Sequence, residues 1–140
     1  MASVFSAIIA GQIPGDFVWK DDEFVGFMTI APVTTGHVLV VPRAEIDQWQ
    51  DVDGEVFAKL TRVAQAIGKA CRQAFDAPRA GLLIAGLEVP HLHVHVFPAF
   101  HLGDFNISNA DTNATAESRK DAAAKIRAAL TELGYAEASE

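Results

Sequence analysis

Hydrophobic and polar positions along this chain follow two periods, and the switches between them lay out the secondary structure. Val4, Phe5, Ile8 and Ile9 form the apolar side of a short helical segment over residues 4–10, which Gly11 and the Pro14-Gly15 pair end. Two β-prone runs, 17–20 and 24–29, flank Asp21-Asp22-Glu23 and predict a hairpin. Residues 30–36 read as a loop, and His37 opens an apolar strand over 37–42 that Pro42 stops. The longest helical pattern covers 53–75. There Val56, Leu60, Val63, Ile67, Cys71 and Ala74 recur at spacings of three and four as one stripe, with Asp51 or Asp53 to cap it and Pro78 beyond its end. Strands are predicted at 80–85 and 91–97, then a polar surface loop after Pro98. A last helix spans 118–133, with Ser118 and Asp121 as a capping box and Ile126, Ala129, Leu130 and Leu133 placed to dock on the body. Residues 136–140 are expected to fray. The pattern is α+β: an antiparallel sheet crossed by one long helix, with a C-terminal helix added.

No repeat or linker divides the chain. Residues 1–140 therefore read as one domain, with a core over about 3–98 and a C-terminal extension whose helix lies at about 115–134. The 140 residues are 50% hydrophobic and 21% charged, an ordinary globular balance that excludes wholesale disorder. Eleven basic against 18 acidic residues give a net charge of −7, which argues against nucleic acid as a partner. The single cysteine excludes an internal disulfide and a cysteine-only zinc site, and its place on the helix stripe makes it core. No basic leader and no apolar run of about 18 residues is present, so the reading is cytoplasmic, without membrane association. Trp19 and Trp49 are expected to serve packing or a dimer surface.

The informative segment is His91-Leu92-His93-Val94-His95-Val96-Phe97-Pro98. With period two, His91, His93 and His95 share one face of a strand, spaced by about 6.6 Å, while Leu92, Val94 and Val96 share the other. Sheet packing alone has no use for three imidazoles in a row. One chemistry open to them is metal binding, but the outer pair lies about 13 Å apart, so a site would need two of them plus His37 or Glu88. The other is phosphorus chemistry. A neutral imidazole is a good nucleophile near pH 7, and its neighbours can hold phosphate oxygens where charge develops. His101, in the polar stretch, is expected to be an exposed loop histidine.

The run from His91 to Phe97 resembles the signature of the histidine triad (HIT) family, His-φ-His-φ-His-φ-φ with φ apolar, at every position. Residues 8–14, Asp21-Asp22, 27–32 and 36–42 are similar to the family's earlier segments, and the small Hint-like bacterial members are the nearest branch. The resemblance implies a HIT-like fold and a homodimer in which two sheets join. It also implies a purine nucleotide substrate, either a nucleoside phosphoramidate or a dinucleoside polyphosphate. His93 would attack the α-phosphorus and form a nucleotidyl-histidine that water cleaves. His95 would contact the phosphate, and His91 and His37 would support them. The third histidine points to hydrolysis, since the nucleotidyltransferase branch carries glutamine there. The base would lie against Phe5, Ile8, Phe27, Ile30 and Leu39.

Three departures from the family pattern stand out. Thr29 occupies the position of a ribose-binding acid or asparagine. Gly86-Leu87-Glu88 replaces the usual Gly-Gln-Ser/Thr before the triad, putting a carboxylate where a hydroxyl normally meets phosphate or leaving group. The loop before Gly86 is short, and a phosphate-contacting asparagine has no counterpart at Ile84-Ala85. Glu88 is expected to face a leaving-group amine or to orient a histidine. Some relatives also carry Cys-x-x-Cys near the start as half of a structural zinc site. Ser3 and Ser6 stand there, so no metal or other cofactor is expected. These departures also motivate a second reading, a nucleotide-binding module with little turnover, beside the metal-dependent alternative.

Overall fold

A computed structural model describes residues 2–140. Its elements are α1 (Val4–Ile9), β1 (Phe17–Lys20), β2 (Phe24–Met28), β3 (Val38–Pro42), α2 (Gly54–Phe75), β4 (Arg79–Leu83), β5 (Val94–Ala99) and α3 (Ala116–Glu132). The five strands form one antiparallel sheet in the order β1-β2-β3-β5-β4. β5 lies between β3 and β4, with His95 opposite Leu39 on one side and Leu83 on the other.

Strand alternation sorts side chains onto two faces. Phe24, Met28, Val38, Val40, Val94 and Val96 face the main core, which α2 fills with Leu60, Val63, Ile67 and Cys71. The thiol of Cys71 is fully buried there, and burial pushes its pKa up to about 12. Val25, Phe27, Leu39 and Val41 point to the opposite face, where Phe5 of α1 covers them. α2 is capped by Asp53, whose carboxylate accepts from the N–H groups of Glu55 and Val56. It ends at Asp76, whose φ of 49° is left-handed, so the stop precedes Pro78.

Several boundaries differ from expectation. α3 begins at Ala116 because Thr115, not Ser118, is its N-cap: Thr115 Oγ1 accepts from the Ser118 N–H. Ala122, Ala123, Ile126, Ala129 and Leu130 dock on the main core, while Leu133 stays 40% exposed. The C-terminal tail is held rather than frayed. It lies along β1, where Lys20 N donates to Glu137 O and Ser139 N to Val18 O, and Trp19 bridges Ala138. The polar stretch after Ala99 coils into two 3-10 turns, Leu102–Phe105 and Ile107–Asn109. Trp19 is buried against Tyr135, and Trp49 is half exposed beside Phe57.

Candidate functional site

The last strand is shorter at its start than the alternation predicts. β5 begins at Val94, so His91 and His93 stand on irregular backbone just ahead of it. Pro90 precedes them and cannot donate to a ladder. The imidazoles nonetheless converge, because hydrogen bonds from the rings replace the missing ladder. All four of His37, His91, His93 and His95 are buried, at 1%, 0%, 6% and 8% exposure.

The proton positions follow from the partners. His37 Nδ1 accepts the Val33 N–H at 3.0 Å, so its proton sits on Nε2. That Nε2–H donates to His95 Nδ1 at 2.9 Å, which puts the His95 proton on Nε2, the free nitrogen. His93 has the opposite arrangement. Its Nδ1–H donates to the His91 carbonyl at 2.8 Å, leaving the Nε2 lone pair free. Two adjacent rings, 5.1 Å apart between centroids, thus offer one nucleophilic nitrogen and one N–H donor. The fourth ring, His91, donates from Nε2 to the Pro42 carbonyl at 2.7 Å and accepts at Nδ1 from Ser3 Oγ at 2.6 Å.

Burial is the first cause of neutrality here. It lowers the His37 pKa to about 3 and the His95 pKa to about 4, with nearby imidazoles adding to both shifts. Desolvation also lowers the pKa of His93, while its bond to the His91 carbonyl and the charge of Glu88 act the other way.

The apolar wall joins α1 to β2 and β3. Phe5 stands edge-on to His93 at 4.9 Å, to His91 at 5.8 Å and to Phe27 at 5.5 Å. Phe27 and Leu39 belong to this cluster, and Ile8 packs against it. Ile30 does not join. It is 74% exposed because β2 ends at Met28 and the chain turns outward into the following loop. Thr29 is half buried at that turn, and its hydroxyl accepts from the Ala31 N–H at 3.1 Å. Gly86 takes a left-handed φ of 74° in the exposed loop between β4 and His91. Glu88 is exposed in the same loop; its carboxylate acts on His93 through charge. His101 caps the first 3-10 turn on the surface.

Sequence reasoning missed two parts of the site. Phe97 packs on His37 at 5.3 Å and on Phe105 at 5.0 Å, extending the aromatic row past the triad. Its alternation with His95 was a usable signal. The other is Glu45, whose carboxylate accepts from Ser3 N–H and, at 2.8 Å, from Ser6 Oγ. No motif marks it.

The two serines, Glu45 and His91 do not fit a structural zinc. Serine hydroxyls are weak zinc ligands beside thiolates. Their donor atoms also bond one another at 2.6 and 2.8 Å, inside the roughly 3.3 Å edge of a tetrahedron with arms of about 2.0 Å. Among the described residues, no group of three or more His, Cys, Asp and Glu side chains is arranged to hold a metal ion. No described helix is long and apolar enough to cross a membrane.

The chain is similar to several known proteins. The HIT domain family model matches residues 10–102. Purine nucleoside phosphoramidase of Escherichia coli K12 is 33% identical over 107 residues, covering 72% of this chain and 90% of its own length. Protein hit of Bacillus subtilis is 32% identical over 106 residues, covering 72% and 73%. Among solved structures, a Zn-bound histidine triad family protein from Mycobacterium smegmatis superposes with a TM-score of 0.81 at 31% identity. That match covers 98% of this chain and 99% of the other.

Proposed function

This chain belongs to the HIT domain family, and from that premise we propose that it hydrolyses purine nucleoside phosphoramidates through a nucleotidyl-His93 intermediate. The observation that carries the reading is the proton arrangement, a bare Nε2 on His93 beside an Nε2–H on His95.

In the first step His93 Nε2 forms a bond to the α-phosphorus and the P–N bond breaks. The departing nitrogen keeps the bonding pair and takes a proton from water. His95 Nε2–H donates to a phosphoryl oxygen, where charge develops. The His93 ring becomes cationic as it is phosphorylated, so its Nδ1–H bond to the His91 carbonyl strengthens along the path. A contact that is stronger in the transition state than in the ground state raises the rate. Water then attacks phosphorus, breaks the P–Nε2 bond, releases the nucleoside monophosphate and a proton, and restores the neutral ring. The base lies against Phe5, Ile8, Phe27 and Leu39, and the ribose near Thr29. The exposed Gly86–Glu88 segment borders the leaving group.

The name of that relative, purine nucleoside phosphoramidase, is what favours a P–N over a P–O–P substrate in this reading. A dinucleoside polyphosphate would use the same nucleophile with a phosphate leaving group. A homodimer fits the open edge of β4, where Leu82 is 53% exposed beside a groove of about 640 Å³ between β4 and α2.

The test is mass spectrometry of acid-quenched reactions with an AMP phosphoramidate and with a diadenosine polyphosphate. Nucleotidyl mass on the peptide holding His93, lost in His93→Ala together with turnover, is the expected result. Tight binding without product or adduct would make the protein a nucleotide-binding module instead. Activity abolished by EDTA and restored by zinc would favour the metal-dependent reading.

A further inference from the structure

The nucleophile is held by a carbonyl that the sheet does not hold. His93 Nδ1–H donates to the His91 C=O at 2.8 Å, but β5 begins only at Val94, so no strand ladder fixes that carbonyl. The anchors are the backbone bonds of His91 N to Val89 O and Leu92 N to Ile46 O, together with the His91 ring. The ring is gripped at both nitrogens, by Pro42 O at 2.7 Å and by Ser3 Oγ at 2.6 Å. The Ser3 hydroxyl is itself directed. Its oxygen accepts from the Ser6 N–H at 3.0 Å, and its single proton goes to His91 Nδ1 at 2.6 Å rather than to the Ser6 hydroxyl 3.4 Å away. Ser3 N–H and Ser6 Oγ–H both end on the Glu45 carboxylate, just past β3. These bonds also hold the Glu45 pKa below its ordinary range.

Resting on the function proposed above, we infer that Ser3 and Glu45 are positioning residues for the nucleophile. A hydrogen-bonded clasp from Glu45 through Ser3 to His91 fixes the carbonyl that keeps the proton of His93 on Nδ1 and the lone pair on Nε2. The clasp also seats α1. Six residues are too few for a helix to persist alone, and α1 carries Phe5, which lies 4.9 Å from the His93 ring. The amino terminus is thereby built into the reactive centre rather than laid over it.

The test compares wild type with Ser3→Ala, Ser3→Thr and Glu45→Gln. Imidazole ¹⁵N NMR of the free protein reads the His93 tautomer, steady-state kinetics separates kcat from KM, and thermal melting reports folding. In wild type His93 should appear as a single Nδ1–H tautomer. Ser3→Ala should give a mixture and a kcat about tenfold lower, the worth of one directed hydrogen bond, with KM within about twofold. Ser3→Thr, which keeps the hydroxyl, should restore both readings. Glu45→Gln, which keeps an acceptor but loses the charge, should fall between them, and it carries the test if Ser3→Ala fails to fold. An unchanged tautomer and kcat in Ser3→Ala would overturn the inference. So would a loss shared by KM and melting temperature that threonine does not rescue, since that describes packing alone. A wild type without a His93 adduct would sink the proposed function, while the ring-tautomer measurement would still decide the clasp.

Discussion

His37 Nε2 stands 2.9 Å from His95 Nδ1, and the Val33 N–H on the far nitrogen of His37 makes the contact directional. One backbone amide therefore dictates, two rings away, that the outward nitrogen of His95 is a donor. Strand β3 ends the loop that supplies Val33, and β5 carries His95, so the relay exists only where these strands pair.

Replacing His37 by phenylalanine keeps a ring of similar size and removes the donor. His95 is then free to present either nitrogen. The expected result is a kcat lower by about 10²-fold, the usual loss for one donor to a developing oxyanion, with KM changed less than about threefold. Steady-state kinetics on an AMP phosphoramidate checks this. A rise in KM at constant kcat would mean that His37 serves binding instead.

Both His37 and His95 give up their protons far below the ordinary imidazole value of 6.5, at about 3 and about 4. Between 6.5 and those values the unfolded chain binds protons that the folded chain refuses. Stability therefore falls as pH drops through this window and levels off below it. Urea midpoints measured between about pH 7 and about pH 4.5 should decline steadily. Since the pKa of His93 is also lowered, the acid limb of kcat/KM should lie below 6.5.

Glu88 raises the His93 pKa from an exposed position in the loop ahead of the triad. Glu88→Gln should shift the acid limb of kcat/KM to lower pH. It should also slow substrates with a cationic leaving group by roughly two- to fivefold, the scale of an exposed charge pair. Competition between cationic and neutral leaving groups measures the second effect, and equal rates in both proteins would remove Glu88 from leaving-group recognition.

A methyl group at position 81 would collide with the ring of Phe97, and Phe105 closes the other side. Phe97 also rests on His37, 5.3 Å away, so the strain has a path to the relay. Gly81→Ala should cost about 1–3 kcal/mol by overpacking and lower kcat. Calorimetry and kinetics on one preparation would show whether the two losses travel together.

Charging the open edge of β4 should separate a dimer. Leu82→Lys places a cation on the strand edge, where it opposes pairing with a second sheet. Light scattering at micromolar concentration should give the mass of one chain for the variant and of two for wild type.

Much of this site was legible because it is periodic. The alternation of His93 and His95 with Val94 and Val96 marks a two-faced strand, and the α2 stripe marks what covers its far side. His91 was harder to place. Its spacing fits the strand, yet it stands on irregular backbone after Pro90, held by its ring rather than by a ladder. The family resemblance implies Ile30 in the wall, but the turn at Thr29 sends it outward. Glu45 gave no local sign, since its role depends on a loop meeting α1 across 42 positions of sequence. The tail over 136–140 was polar and terminal, and only the free edge of β1 explains why it is held.

The strand order has a consequence for how the molecule comes into being. β5 enters between β3 and β4, and Val38 meets Val96 only after the whole of α2 has been made. A growing chain can complete its first hairpin and its long helix while the two halves of the relay are still unconnected. Loop-closure entropy opposes their meeting until the inserted strand joins both neighbours at once. Until then the His37 ring has no His95 nitrogen to meet. The relay therefore does not form by degrees as the chain lengthens: a chain cut short before Val94–Ala99 lacks His95 and with it the contact to His37.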